Sequence, residues 1–170
     1  MDPSFQDWGT IAEIVGGIAV IASLIYVGFQ IRQNTRINQG IATQNTFTST
    51  QVIYSWFADN PELADLYCRF QQGEDLTVPE ATRMFNIMLG QIEQYEVYFV
   101  LHNLRMMDDA TFHSFFKKIS TVLGTFPARQ WFNDNRTFFK RDFVEFVNSM
   151  LDENPTLTDA TTAFYQGGRQ

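Results

Sequence analysis

The sequence predicts an all-α protein, one N-terminal transmembrane helix followed by a helical bundle, and three observations predict it. From Thr10 to Ile31 the chain reads TIAEIVGGIAVIASLIYVGFQI, in which only Glu13 and the terminal Gln30 are strongly polar. Beyond it, apolar residues recur three and four apart, the period of an amphipathic helix. Helix starts and stops punctuate those runs, while the alternation that marks strands is nearly absent.

The first element is the span. Twenty-two residues at about 1.5 Å each make a rod of roughly 33 Å, enough to cross a hydrocarbon core of about 30 Å with modest tilt. A cleaved secretory signal fits poorly, because Met1 to Gly9 carries Asp2 and Asp7 with no Lys or Arg, and the apolar run exceeds an ordinary signal core. A solvent-facing core helix fits poorly too. From Ile14 to Phe29 the only non-apolar features are Ser23 and the Tyr26 hydroxyl. Arg32 and Arg36 follow the span and no basic residue precedes it, so residues 1–9 are expected outside and residues 32–170 in the cytoplasm. Trp8 and Tyr26 suit the two interfaces. Glu13, one turn from the outer end, is expected at headgroup depth beside a helix N-terminus rather than on a proton path.

Within the span, Ala12, Gly16, Ala19 and Ser23 recur at spacings of four, three and four. These small residues share one stripe, while Ile11, Ile14, Ile18, Ile21 and Ile25 form a bulkier one. A small-residue stripe lets a second helix approach closely in lipid, where packing rather than hydrophobicity drives association. The plainer alternative is that Gly and Ala are common in membrane helices.

The remaining elements follow in order across residues 32–152. A polar segment from Asn34 to Gln51 continues the first helix and gains an apolar face only at Val52, Ile53, Trp56 and Phe57. Asn60-Pro61 opens a helix that Gly73 closes. Thr77 and Glu80 have capping-box spacing and open the longest soluble helix, to about Met107, with Phe85, Met88, Ile92, Tyr95, Phe99 and Leu101 or His102 along its buried side. Asp108 caps another, in which Phe112, Phe116, Ile119 and Leu123 repeat until Gly124. Pro127 starts a short helix through Trp131. Asn135 or Asp134 opens the last, with Phe139, Phe143, Phe146 and Met150 on one face, and residues 153–170 form a loose tail.

Composition bounds the function. Of 19 acidic residues three precede position 32, which leaves 16 against 12 basic ones and a net charge near −4 without long runs. Neither a nucleic-acid surface nor a polybasic lipid patch is expected from that balance. About 140 residues suffice for one domain with its own core. The single cysteine, Cys68, precludes an intrachain disulfide and agrees with a reducing compartment.

Chemistry is sparse. Glu93 and Glu96 stand one turn apart, but a di-iron bundle needs Glu-x-x-His pairs, and neither His102 nor His113 lies three residues after a Glu. The ordinary reading is two solvated acids. His102, His113 and Cys68 lack zinc spacing, and there is no nucleophile elbow, phosphate loop or dinucleotide fingerprint. The sequence therefore predicts no catalytic residue, no metal and no cofactor. Aromatics at helical spacing are ordinarily core, and the dense set from Phe112 to Phe146 is expected mainly there; the alternative is core plus interface, because adjacent pairs diverge by about 100° on a helix and rings that one bundle leaves unburied would form a docking surface. Phe115, Trp131, Phe132 and Phe138 are the candidate docking aromatics, next to Arg129, Arg136, Lys140 and Arg141.

The run from Glu13 to Ile21, EIVGGIAVI, followed by LIYVGFQIRQNTR from Leu24 to Arg36, resembles the N-terminal signature of a group of uncharacterised bacterial single-pass membrane proteins. In that group an EIVGAIAV-type span meets a Q-I-R-Q-N-T-R junction. Pro127 to Trp131 and the Phe-rich last helix are similar to its C-terminal half. The resemblance implies a bacterial inner-membrane protein with a helical soluble domain, and it carries over no catalytic residues. The expected function is non-enzymatic assembly, with itself or as an accessory subunit of a larger membrane complex through other transmembrane helices; the alternative is ligand binding or sensing through a pocket near His102, Tyr95 and Tyr98, and a third is an undetected enzyme.

Overall fold

A computed structural model describes residues 5–153, with side chains from Trp8 onward. The tail expected over residues 153–170 lies outside the described residues save for Glu153. The described residues are helical, with no strand among them. The chain divides into two compact units, Met1–Ile41 and Ala42–Gln170.

The first helix, α1, runs Phe5–Ala58. The apolar sequence and the polar segment after it thus form one element, as expected. In the first unit its large apolar side chains are exposed on every face, among them Ile14, Ile18, Leu24 and Phe29. It is the one described helix long and apolar enough to cross a membrane, and none of its apolar window is buried.

The second unit is built from the end of α1 and six further helices: α2 (Pro61–Gln71), α3 (Val78–Asn103), α4 (Asp109–Phe116), α5 (Ile119–Leu123), α6 (Phe126–Asp134) and α7 (Arg141–Glu153), with a 3₁₀ turn at Arg136–Phe138. The Asn60 side chain accepts from Leu63 N–H at 3.0 Å and fixes the start of α2. Gly73, at φ 76°, ends it in a Schellman turn: Glu74 N–H reaches Arg69 C=O and Gly73 N–H reaches Phe70 C=O. At α3 the capping box is present, with Glu80 accepting from Thr77 N–H at 2.8 Å and pairing with Arg69.

Four expected boundaries differ, the simplest being the short helix expected through Trp131, which runs on to Asp134. The helix expected to reach Met107 stops at Asn103, because Arg105 takes the left-handed position (φ 57°) of a second Schellman turn, Met106 to Leu101 and Arg105 to His102. The helix expected from Asp108 to Leu123 is two helices. Ser120 and Thr121 hydroxyls donate to the carbonyls of Lys117 and Lys118, taking acceptors that a continuous ladder would use. The last helix begins at Arg141 rather than near Asn135. Asn135 instead ends α6, its side-chain amide donating to Trp131 C=O, and Glu96 from α3 accepts the Lys140 N–H at 2.6 Å where α7 starts.

The core runs through Met88, Ile92, Phe112, Phe116, Ile119, Phe132, Phe143 and Val147. Phe112 and Phe116 lie 4.4 Å apart, Phe99 meets Phe143 at 5.7 Å, and Phe132 meets Phe139 at 5.6 Å. On α3 the buried stripe is Met84, Ile87, Met88, Gln91, Ile92, Tyr98 and Phe99, so the expected Phe85, Tyr95 and Leu101 flank it half-buried. On α7 it is Phe143, Val144, Val147 and Leu151, which leaves Phe146 and Met150 half-buried.

Phe143 is fully enclosed by other rings, so Phe143→Ala should lower unfolding free energy by about 3–5 kcal/mol, read by urea denaturation. A loss below about 1 kcal/mol contradicts the packing described. The Thr77 donors and then Arg69 hold the Glu80 carboxyl down to about 2, against an ordinary 4.5. A depressed carboxylate stabilises above its unfolded value and loses that contribution as pH falls through the folded one. Acid titration of stability should therefore steepen between about 4.5 and about 2, and Glu80→Gln should flatten that window.

Candidate functional site

Two features of the described residues are candidates, a helix face and a cleft, and each belongs to one unit. On α1 the stripe residues Ala12, Gly16, Ala19 and Ser23 are all exposed. A Cβ added at Gly16 or Gly17 would meet nothing within 4 Å. Ser23 donates its hydroxyl to Ala19 C=O at 2.8 Å, which satisfies it inside its own helix.

Of the four candidate docking aromatics, two are core. Phe115 is 3% exposed against Phe47 and Tyr98, and Phe132 is 0% exposed against Phe139 and Phe143. For these two the core reading holds and the docking one does not, because Phe47 of α1 and Tyr98 of α3 face Phe115 while Phe139 and Phe143 face Phe132. Trp131 is half-buried beside Phe85 at 5.6 Å, and Phe138 is 60% exposed. Phe126, a ring the docking set leaves out, is more exposed still.

Glu93 is exposed, whereas Glu96 holds the start of α7, so the two acids do different things. No group of His, Cys, Asp or Glu among the described residues is arranged to hold a metal. His102 stacks on Phe112 at 4.0 Å and 11°, with its Nε2 2.9 Å from Asp109 Oδ1.

The cleft lies in the second unit, between the end of α1, α2, α3 and α5, with a volume of about 410 Å³. Tyr95 and Tyr98 line it as expected, and His102 does not. One wall is Thr50, Tyr54 and Phe57 from α1. Tyr67 and Cys68 come from α2, and Gln91, Gln94, Tyr95 and Tyr98 from a single face of α3 at spacings of three, one and three. A buried polar bridge closes the floor beside it: the Gln71 amide donates to Val122 C=O at 3.0 Å and its oxygen accepts from Thr125. Tyr98 shares a short hydrogen bond with Thr50, and Tyr67 Oη lies 3.5 Å from Gln91 Oε1. The Tyr95 ring packs edge-on against Tyr98 at 5.6 Å and against Phe116 at 5.8 Å.

No family model, curated protein or solved structure matches this chain. The cleft's properties therefore rest on its own residues. A second, more open hollow of about 610 Å³ where α2 and α3 begin is lined by Arg69, Asp65 and Glu80, but those charges already pair with one another.

Burial pushes the Tyr95 and Tyr98 phenols up, and it pushes the Cys68 thiol up with help from Asp65. Raised phenols stabilise the fold below the ordinary tyrosine value and withdraw that contribution as pH climbs past it. Alkaline titration followed at the tyrosinate band should therefore show fewer than the six tyrosines ionising before the chain unfolds. Tyr95→Phe should lessen the loss of stability above about pH 10. Six tyrosines titrating together near pH 10 contradict the burial described.

Proposed function

We propose that this chain is a non-enzymatic, single-pass protein of a bacterial inner membrane that acts in assembly, with itself or as an accessory subunit of a larger membrane complex. One observation carries the reading: the apolar window of α1 is exposed on all its faces, and nothing among the described residues covers it. A core helix of a water-soluble protein would be covered. Lipid supplies what the chain does not, and the length fits a hydrocarbon core of about 30 Å.

Arg32 and Arg36 on one flank support an orientation with the N-terminus in the periplasm and residues 32–170 in the cytoplasm. The resemblance of the EIVGGIAVI and QIRQNTR segments to bacterial single-pass proteins points the same way. The stripe of Ala12, Gly16, Ala19 and Ser23 is the face offered to another transmembrane helix, because close backbone approach is what drives packing in lipid.

A reporter active only in the periplasm, fused after Gln170, should stay silent, and a signal from it contradicts the orientation. For assembly, Gly16→Ile and Val15→Ile are the paired variants. A Cβ added at Gly16 meets nothing within 4 Å among the described residues, so a branched side chain there is a probe for a partner. Both variants should insert, since lipid tails solvate either side chain. Gly16→Ile should release the protein from its oligomer or host complex in mild detergent, and Val15→Ile should stay bound. Equal retention of the two contradicts a role for this face beyond anchoring.

A further inference from the structure

The tyrosine cleft has a narrow chemistry that the assembly reading does not use. No Asp, Glu, Lys or Arg lines it. Its titratable groups are phenols and one thiol, and the shifts at Tyr95, Tyr98 and Cys68 all favour the neutral form. An ionic ligand would shed its water there and meet no counter-charge, at a cost that neutral molecules escape.

The polar groups of the lining are uncharged and unequally engaged. The Tyr98 hydroxyl is held by Thr50, and the Tyr67 hydroxyl faces Gln91. The Tyr95 hydroxyl makes no hydrogen bond among the described residues, although its ring is wedged between Tyr98 and Phe116. A fixed phenol with an open donor at the cleft can give its hydrogen bond to an acceptor on a guest. The opposite wall offers Tyr54 and Phe57, so aromatic side chains stand on two sides and favour a flat guest. About 410 Å³ lies in the lower part of the range that ligand sites occupy, roughly 300–1,000 Å³.

We infer that this cleft binds an uncharged, largely apolar molecule of one or two rings that presents a hydrogen-bond acceptor to the Tyr95 hydroxyl. The inference is independent of what the membrane helix contacts, because every lining residue belongs to the second unit.

Cys68 is the sole cysteine and lines the cleft, so its alkylation by N-ethylmaleimide reports occupancy without a further label. The full chain in nanodiscs is labelled at about pH 8, where some thiolate is present. Three probes are compared at equal free concentrations set by dialysis: 2-acetylnaphthalene, a neutral ketone; 2-ethylnaphthalene, the same shape without an acceptor; and 2-naphthoate, an anion. The ketone should slow labelling about fivefold at four times its Kd, since the open fraction falls as 1/(1 + [L]/Kd). The hydrocarbon should need a roughly three- to tenfold higher concentration, the worth of one neutral hydrogen bond. The naphthoate should leave the rate unchanged. Tyr95→Phe should erase the ketone's advantage over the hydrocarbon, and Tyr98→Phe should preserve it. Labelling insensitive to the ketone overturns the site. Equal protection by naphthoate overturns the neutral ligand class, and an advantage that survives Tyr95→Phe overturns the assigned donor.

Discussion

Apolar surface has to leave water, and along this chain that single requirement is met in two ways. In the second unit the helices cover one another, so that Met88, Ile92, Phe116, Phe132 and Phe143 lie out of reach of solvent. Among the described residues nothing covers the helix of the first unit. Its Ile, Leu, Val and Phe side chains stand about as open as on an isolated rod, a state that water disfavours by roughly 25 cal/mol for each Å² of apolar surface. A helix can resolve this in hydrocarbon because its backbone hydrogen bonds are internal, and that is the physical basis for the proposed span.

Within the second unit, rings do most of the packing and also decide where packing stops. Phe112, Phe116, Phe143 and Phe146 fill the space between α3, α4 and α7. Tyr95 and Tyr98 join this cluster through their rings, against Phe116 and Phe115. Their hydroxyls belong to the other side, where the cleft begins. Phenols suit such a boundary, with an apolar body for the core and one polar group for whatever meets it. The buried Gln71–Thr125–Val122 bridge stiffens the same region by tying α2 to the chain around α5 and α6.

What was legible in the sequence was what a local rule encodes. Asn60-Pro61, the Thr77–Glu80 box and Gly73 each carry their own mechanism, and each helix end sits where that mechanism puts it. The end of α3 was not legible, because Arg105 does with a side chain what Gly73 does without one. The break between α4 and α5 depends on which acceptor two hydroxyls choose, and the Phe, Ile and Leu spacing runs straight through it. Partner choice was hidden in the same way. Phe115 and Phe132 read as surplus on their own helices and become core only once α1 and α7 supply facing rings. Of the cleft, the α3 face of Gln91, Gln94, Tyr95 and Tyr98 has a helical spacing that could have marked it, whereas Thr50 and Tyr54 meet it only through the fold.

The most direct test of the central claim is the environment of α1 itself. Spin labels placed singly at successive positions from Glu13 to Arg36, in a Cys68→Ala background in bilayers, report collision with oxygen, which concentrates in lipid, and with a water-soluble nickel chelate. The account predicts that every label from Ile14 to Phe29 favours oxygen, most strongly near Ala19 to Ala22, and that the preference reverses at Arg32 and beyond. A periodic alternation between oxygen and nickel access every three to four residues across Ile14 to Phe29 would contradict it, because it would place one face of this helix in water.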